Sequence, residues 1–253
     1  MRPVALLTDF GHADHYVGVL HAVLEREAPG VVRLDIGHDL DPGDIWAASF
    51  QLRCAWPHLP DDCVVLAVAD PGVGTFRRAV ALAIGDRFVV APDNGLATAI
   101  GPAAEVVTLD WRRMRLEEPS ATFHGRDLFA PAAARLAAGA DLLSLGQDIA
   151  SDSLLFCPLP VPLRAGSGIE GSILHVDRFG NLVTNVRAED HAEMTTAAFV
   201  GGTARLVRTY ADAQRDEVVL LEGSAGYLEL AVNCGSAADA TSLERGDPVL
   251  FNK

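Results

Sequence analysis

In the first half of the chain, short apolar runs alternate with segments in which apolar residues recur at helical spacing. The run over 64–69 contains no polar residue, which is typical of a strand covered on both faces. The same reasoning predicts strands over 4–8, 31–36, 79–84, 87–91 and 106–109, and helices over 16–26, 45–52 and 127–138. Strands that alternate with helices predict a mainly parallel sheet with helices on both faces.

The pattern changes after residue 156, where a proline-rich stretch over 157–162 is soon followed by Gly166-Ser167-Gly168. This composition predicts a linker. Beyond it, apolar residues alternate with polar ones in short segments, at 171–176, 182–186, 204–209, 218–221, 227–232 and 248–251. The predicted fold is therefore an α/β N-terminal domain over 1–158 and a smaller β-rich C-terminal domain over 168–253, a barrel or a sandwich.

Composition narrows the class of protein. No apolar run approaches the length of a membrane-spanning helix, and the chain opens with a strand pattern where a signal segment would be basic and then apolar. The four cysteines form no C-x-x-C pair, so we expect buried thiols rather than a zinc site or disulfides, in a cytoplasmic protein. A net charge of −14 disfavours nucleic acid as a partner.

Polar clusters follow four of the predicted elements in the N-terminal domain. They are Thr8-Asp9-Phe10-Gly11, Asp70-Pro71-Gly72, Pro92-Asp93-Asn94-Gly95 and Phe123-His124-Gly125-Arg126-Asp127. Polar residues at the carboxyl ends of strands in one sheet converge on one crevice, so together these clusters predict a ligand site. Each cluster taken singly is equally typical of a turn, because Asp, Asn and Gly favour turns for backbone reasons.

The histidines support one further hypothesis. The group Asp9, His12, Asp14 and His15 consists of residue types that bind divalent ions, but its spacing matches no metal motif, and we predict no metal. His124 lies between Phe123 and Gly125 and is interpreted as either a turn residue or a pH-active group. The remaining histidines that lack polar company are interpreted as structural: His21, His38, His58, His175 and His191.

Two polar loops stand out in the C-terminal domain. Residues 177–181 combine Asp177, Gly180 and Asn181, and an asparagine offers both a donor and an acceptor to an amide or a purine edge. A hairpin turn explains the same residues. Residues 233–238 follow a predicted strand and are expected to open a helix whose amides bind a carboxylate.

Taken in order, these motifs resemble one family over nearly the whole chain. They are Leu7-Thr8-Asp9-Phe10-Gly11, Asp70-Pro71-Gly72-Val73-Gly74-Thr75 with Arg77, Ala91-Pro92-Asp93-Asn94-Gly95, Phe123-His124-Gly125-Arg126-Asp127, Asp177 with Phe179-Gly180-Asn181, and 233–237. The chain is similar to the S-adenosyl-L-methionine (SAM) hydroxide adenosyltransferases, adenosine-forming hydrolases related to fluorinase and chlorinase.

The resemblance implies an α/β domain, a β-barrel-like C-terminal domain and a homotrimer with sites between subunits. It implies that Asp70, Arg77 and His124 form the set that marks the water-using branch of the family. It also implies substrate-binding roles, for Asp9 at the ribose and for Asp177, Asn181, Asn233, Ser236 and Ala237 at the adenine and methionine parts. One departure is Gly43, which stands where the family usually has an aromatic residue, and nearby Trp46 is a candidate replacement.

The implied reaction is hydrolysis of SAM to adenosine and L-methionine through attack of water or hydroxide on the ribose 5′ carbon. SAM is then the substrate, and no cofactor is expected. Three alternatives stay open: a SAM-dependent halogenase, a metal-dependent hydrolase that uses Asp9, His12 and Asp14, and a nucleoside-binding protein without turnover.

Overall fold

The helices and strands divide the chain into two units. In this computed structural model, which describes residues 1–157, 159–190 and 193–253, the first unit is Met1–Pro158 and the second is Leu159–Lys253. The interpretations placed on Pro158, as part of a linker, and on His191, as a structural histidine, lie outside the described residues.

The first unit is a seven-stranded sheet with helices on both faces. Its elements are β1 (Val4–Thr8), α1 (Tyr16–Glu27), β2 (Arg33–Gly37), α2 (Ile45–Ala55), β3 (Val64–Val68), β4 (Ala79–Ile84), β5 (Arg87–Pro92), β6 (Glu105–Leu109), α3 (Ala130–Ala137) and β7 (Gly146–Asp148). The strand order is β2-β1-β3-β5-β4-β6-β7.

The predicted α/β fold is confirmed, and the parallel part occupies one half of the sheet. In the described part of the chain, β2, β1, β3 and β5 are parallel neighbours, whereas β4, β6 and β7 join through antiparallel pairs. The change occurs at the β4–β5 hairpin around Gly85-Asp86, because a two-residue turn connects only antiparallel strands.

The central strands are apolar because both of their faces are covered. Leu6 and Leu66 pack in the cluster that contains α1 and α3, whereas their neighbours Leu7 and Val65 pack in the cluster that contains α2. Successive side chains of a strand point to opposite faces, so a run without polar positions serves both layers. These strands form a rigid base for the loops at their carboxyl ends.

The second unit is an antiparallel sheet that curls into a nearly closed barrel, with one short helix. Its elements are β8 (Leu163–Ala165), β9 (Gly168–Val176), β10 (Leu182–Arg187), β11 (Thr196–Phe199), β12 (Gly202–Arg205), β13 (Val218–Glu222), β14 (Tyr227–Val232), α4 (Ala237–Thr241) and β15 (Pro248–Asn252). The order is β12-β11-β15-β9-β10-β14-β13, with β8 paired to β9. A bridge between Leu206 and Leu220 joins the two ends of this order, which confirms the barrel-like prediction.

Several local predictions need correction. Part of the stretch interpreted as a linker forms β8, which pairs with β9. The strand expected over 204–209 ends at Arg205 instead, and β7 and β11 were not predicted. The strands β7, β8 and β11 have only three or four residues each, which is too few for an alternating pattern to be recognised. None of the helices among the described residues combines the length and apolarity that crossing a bilayer demands.

Replacing either of two glycines in the first unit by alanine should change the free energy of unfolding, in opposite directions. Gly146 begins β7, and a Cβ atom there would lie 1.9 Å from the carbonyl oxygen of Thr108. Gly18 lies in α1, where a Cβ atom meets no other atom within 4 Å. We expect Gly146→Ala to lower the free energy of unfolding by about 1–3 kcal/mol. We expect Gly18→Ala to raise it by about 1 kcal/mol, because alanine is the better helix former.

Urea unfolding of the two variants beside the wild type measures both changes. Equal effects of the two substitutions would contradict the close approach of β7 to β6.

Candidate active site

Two carboxylates emerge at the same edge of the parallel sheet. β1 and β3 are parallel neighbours, with Thr8 opposite Val68 in the register. Asp9 follows the last residue of β1 directly, and Asp70 lies two residues beyond the end of β3. The crevice beyond the carboxyl ends of strands is the usual ligand site of open α/β sheets.

Arg77 binds the Asp70 carboxylate through two nitrogens. Its Nε atom donates to both carboxylate oxygens, at 2.9 and 3.0 Å, and its Nη2 atom donates to Oδ2. The side chains are almost completely buried, with 9% of Arg77 and 6% of Asp70 exposed. Such a bidentate pair fixes the direction in which the carboxylate points.

His124 completes the set. The Nη2 atom of Arg77 lies 2.9 Å from Nδ1 of His124. A guanidinium group can only donate, so Nδ1 is the acceptor and the proton of the neutral ring is on Nε2. Burial lowers the pKa of His124 from 6.5, and the positive charge of Arg77 lowers it further. The ring is therefore neutral at pH 7 and offers an Nε2–H donor.

An irregular turn positions His124. Residues Gly125–Phe129 form a π-helical turn just before α3, and His124 immediately precedes it. Short π segments are frequent at functional sites. The centre of the Phe129 ring lies 5.1 Å from the central carbon of the Arg77 guanidinium group. The same turn therefore positions His124 and contacts Arg77.

Asp9 lies on the same pocket with a different environment. Its Oδ2 atom accepts a hydrogen bond of 2.8 Å from the Gly43 amide. Burial raises the pKa of Asp9, the Gly43 amide opposes that rise, and the negative charge of Asp70 adds to it. Oδ1 accepts no hydrogen bond from another described residue, so it can accept one from a hydroxyl group of a ligand.

A pocket of about 270 Å³ connects these residues. Asp9, Asp70 and His124 line it together with an aromatic wall of Phe10, Tyr16 and Phe123, whose rings meet edge to face. The volume is just below the range of about 300–1,000 Å³ that is usual for drug-sized ligands. The wall was not predicted as a unit, although Phe10 and Phe123 directly adjoin Asp9 and His124 in the sequence.

The position of Gly43 is explained by its backbone rather than by a replacement aromatic residue. Gly43 has a φ of +76°, and a Cβ atom there would lie 3.4 Å from Pro71. Trp46 lies on α2 with 37% of its surface exposed and is absent from the pocket lining described above. Tyr16 instead supplies an aromatic ring to this pocket.

The polar cluster that contains Asp93 supports the pocket from outside its lining. The buried Asp93 accepts from Nε of Arg78 at 2.7 Å and from the amide of Leu155 at 2.9 Å. Asn94 donates to the carbonyl of Ala69, at the base of the Asp70 loop. The two adjacent arginines thus bind different carboxylates: Arg77 binds Asp70, and Arg78 binds Asp93.

The metal-ligand hypothesis for Asp9, His12 and Asp14 receives no support from the contacts of these residues. His12 binds Asp39 through Nδ1 at 3.0 Å, and Asp9 turns to Gly43. Among the residues that the structure describes, the set that meets metal-ligand geometry is a different one, discussed below.

The second unit brings its own predicted residues together. Asp177 holds the β9–β10 turn by accepting from the amides of Phe179 and Asn181, at 2.8 and 2.9 Å, and from the side-chain Nδ2 atom of Asn181 at 3.0 Å. A Cβ atom on Gly180 would lie 2.2 Å from Oγ of Ser236, so the turn packs directly on the start of α4. The turn interpretation of this loop is confirmed, and the ligand-binding interpretation stays a prediction.

The other members of that cluster follow β14. Ser236 is the N-cap of α4 and accepts from the amide of Asp239 at 3.0 Å, and Ala237 is fully buried. Asn233 precedes Cys234, which has a φ of +58°. The helix that we predicted here is confirmed, with only five residues.

These features define a class of protein: an α/β unit with a pocket of carboxylates, an imidazole and aromatic rings at its strand ends, followed by a small β-barrel-like unit. Residues 4–146 match the model of the SAM hydroxide adenosyltransferase N-terminal domain, and residues 171–250 match that of the C-terminal domain. The chain belongs to the SAM hydroxide adenosyltransferase family.

Similar proteins cover the full length of the chain. The (R)-S-adenosyl-L-methionine hydrolases of Thermus thermophilus and Salinispora tropica are 44% and 39% identical, over 98% and 96% of this chain and 99% and 95% of theirs. A fluorinase from Actinoplanes is 27% identical over 99% of this chain and 97% of its own. The crystal structure of an uncharacterized conserved protein from Thermotoga maritima superimposes with a TM-score of 0.92 at 33% identity, over 99% of this chain and all of that one.

The contact between Arg77 and His124 predicts how the histidine titrates. Replacing Arg77 by Gln removes a positive charge and leaves the negative charge of Asp70 uncompensated, so the imidazolium form becomes more favourable. We expect the pKa of His124 to rise in Arg77→Gln. The ring NMR signals followed against pH measure it, with His124→Gln identifying the signal.

Arg78→Gln is the matched control, because that arginine binds Asp93 instead. The pKa of His124 should stay below 6.5 in the control, as in the wild type. An unchanged pKa of His124 in Arg77→Gln would contradict the assigned hydrogen bond.

Proposed function

We propose that the protein hydrolyses SAM to adenosine and L-methionine. The observation that carries this proposal is the hydrogen-bonded series Asp70–Arg77–His124, whose two end members line a pocket. The names of the relatives that are 44% and 39% identical support the same reaction. Water attacks the ribose 5′ carbon, the bond from that carbon to sulfur breaks, and methionine leaves with the electron pair.

Asp70 accepts the proton of the attacking water in this proposal. Of the two candidate bases, His124 carries its proton on Nε2 while Nδ1 accepts from Arg77, so the neutral ring has no free lone pair for the water. His124 donates instead to the water oxygen and orients its lone pair towards the carbon. The carboxylate of Asp70 takes the proton and later releases it to solvent.

Arg77 is a positioning residue as well as a source of charge. Its bidentate contact holds the Asp70 carboxylate in one direction, which limits the positions that the nucleophile can occupy. A sulfonium is already a good leaving group, so no acid is needed at sulfur. Alignment of the water opposite the sulfur atom is the main contribution of the protein.

The rest of the substrate is assigned by pocket chemistry. Asp9 accepts from the ribose hydroxyls, for which one carboxylate oxygen is available beside the Gly43 contact. The edge-to-face wall of Phe10, Tyr16 and Phe123 packs on the sugar. We assign Asp177, Asn181, Asn233, Ser236 and Ala237 to the adenine and methionine parts, supported by the polar cluster that these loops form in the second unit.

Hydrolysis is preferred to halogenation for two reasons. The resemblance associates Asp70, Arg77 and His124 with the branch that uses water, and all three interact here. The hydrolases are also more similar to this chain than the Actinoplanes fluorinase is, at 44% against 27% identity. The proposed displacement requires no cofactor, because Asp70 accepts the proton, His124 donates to the water and Arg77 balances the charge of Asp70.

We further propose that the chain forms a homotrimer whose subunits complete each other's sites. A pocket of about 270 Å³ is small for an entire SAM molecule, which supports a contribution from a second chain. Phe76, next to Arg77, is fully exposed, and so is much of Phe179 in the second unit. Large exposed aromatic side chains are typical of interaction surfaces.

Two other proposals rest on general features. We propose two domains, 1–158 and 168–253, supported by the division of the chain into two units near residue 158. We also propose a cytoplasmic location for the enzyme. The four cysteines form no disulfide, which supports a reducing compartment.

Asp70→Asn tests the chemistry. The amide keeps the shape of the side chain but cannot accept a proton from water, so we expect the hydrolysis rate to fall about 10²–10⁴-fold. The assay uses SAM in ¹⁸O-labelled water, and mass spectrometry should find the label in the 5′ hydroxyl of adenosine. Asp14→Asn, an exposed position outside the pocket lining, should stay within about twofold of the wild type.

Additions to the same assay separate the alternatives. Chloride should yield no 5′-chlorinated nucleoside, and EDTA should leave adenosine formation unchanged. A halogenated product would favour the halogenase, loss of activity in EDTA would favour the metal-dependent hydrolase, and binding without turnover would favour the nucleoside-binding protein. Full activity of Asp70→Asn would remove the mechanism.

The homotrimer is tested separately by light scattering during size-exclusion chromatography. We expect a mass three times that of the 26.8 kDa chain. We expect Phe76→Ala to weaken the assembly and to lower that mass on dilution, because the variant loses an exposed aromatic contact. A monomeric wild-type protein with full activity would contradict shared sites.

A further inference from the structure

A second cluster of polar side chains lies behind the loop that carries Asp9. It consists of His21 on α1, Asp35 on β2 and His38 just after β2. One potential ligand atom from each of these residues lies within 4.8 Å of the others. None of the three lines the candidate active site described above.

The surroundings of His38 are those of a typical metal-binding histidine, whose second ring nitrogen makes a hydrogen bond. Its side chain is fully buried, and its Nδ1 atom lies 2.8 Å from the hydroxyl oxygen of Thr8. The hydroxyl of Thr8 can accept a hydrogen bond from Nδ1, and in that tautomer the lone pair of the neutral ring lies on Nε2. Histidine ligands usually donate their second ring nitrogen to a neighbouring group in this way, which fixes the tautomer and the ring orientation.

The Nε2 atom of His38 has no hydrogen-bond partner among the described residues, although it is buried. Nε2 nevertheless lies 3.2 Å from Oδ1 of Asp35. This distance would allow a hydrogen bond between the two atoms, but their relative orientation does not. Two ligands at about 2.0–2.1 Å from a tetrahedral zinc ion are about 3.3 Å apart, and their lone pairs point at the metal rather than at each other. The contact between His38 and Asp35 has this form.

His21 supplies the third donor. Its Nε2 atom lies 2.9 Å from the same Oδ1 atom of Asp35. The side chains of His21 and Asp35 are 32% and 41% exposed, so they have room to adjust around the fixed His38 ring and leave a coordination position open to water.

We propose that His21, Asp35 and His38 form a binding site for a divalent transition-metal ion of the zinc type, separate from the reaction site. Two imidazoles and one carboxylate are ligands that such ions prefer over calcium or magnesium. The ion joins α1 to the end of β2. It is a structural ion, because the displacement proposed above uses Asp70, Arg77 and His124 alone.

Metal binding to the full-length protein tests this site without reference to turnover. The protein is treated with EDTA, dialysed, and titrated with Co²⁺, whose visible absorption reports nitrogen and oxygen ligands. Zn²⁺ is titrated in parallel against a chromogenic chelator. We expect saturation at about one ion per chain and a higher melting temperature with Zn²⁺, since an ion that binds only the folded chain stabilises it.

The variants are made at His21 and Asp35, which are partly exposed, because replacing the buried His38 could unfold the protein. His21→Gln and Asp35→Asn should each weaken Zn²⁺ binding at least about tenfold and abolish the rise in melting temperature. His58→Gln, an exposed histidine outside the cluster, should bind as the wild type does.

Asp14→Asn distinguishes the cluster from the alternative set of Asp9, His12 and Asp14. Binding that survives Asp14→Asn but is lost in Asp35→Asn supports the proposal. Loss of binding in Asp14→Asn with retention in Asp35→Asn would overturn it, and so would the absence of saturable binding in the wild type. Either result leaves the hydrolysis assay unaffected, so the two proposals fail independently.

Discussion

The buried ion pair between Arg77 and Asp70 is the interaction on which the site depends. Removing one partner of a buried pair costs about 3–5 kcal/mol, because the other charge is left without compensation. Arg77 also donates to Nδ1 of His124, so a single guanidinium group fixes the direction of a carboxylate and the tautomer of an imidazole. The chemistry that the pocket can perform follows from that double contact.

The fold meets this constraint by bringing three distant segments to one edge of a sheet. β1 and β3 end side by side, which brings Asp9 and Asp70 to the same edge. The π-helical turn before α3 supplies His124 from the other side of the pocket. The turn approaches closely because residue 125 is a glycine, whose Cβ atom would lie 3.2 Å from the rings of Phe10 and Phe123. The aromatic wall and the polar set are therefore parts of one packed unit.

The end of β1 contributes to two sites. Consecutive side chains of an extended segment point in opposite directions. Asp9 lines the pocket, while Thr8 is fully buried and contacts His38. An ion bound by His21, Asp35 and His38 would hold the end of β2 beside the end of β1. The proposed structural ion and the proposed catalytic pocket thus share one strand end without sharing a ligand.

The sequence by itself determined the α/β unit, the β-rich unit and the motifs of the family, because buried strands leave apolar runs and strand-end loops carry recognisable polar residues. The resemblance already grouped Arg77 with Asp70, and only the tertiary structure decided that the adjacent Arg78 binds Asp93, since neighbouring arginines differ in the direction that the chain gives them. The tertiary structure also decided that Tyr16 stands on the pocket wall and that His21 and His38 meet at Asp35. Those contacts join residues distant in the chain, and no local pattern of hydrophobic and polar positions encodes them.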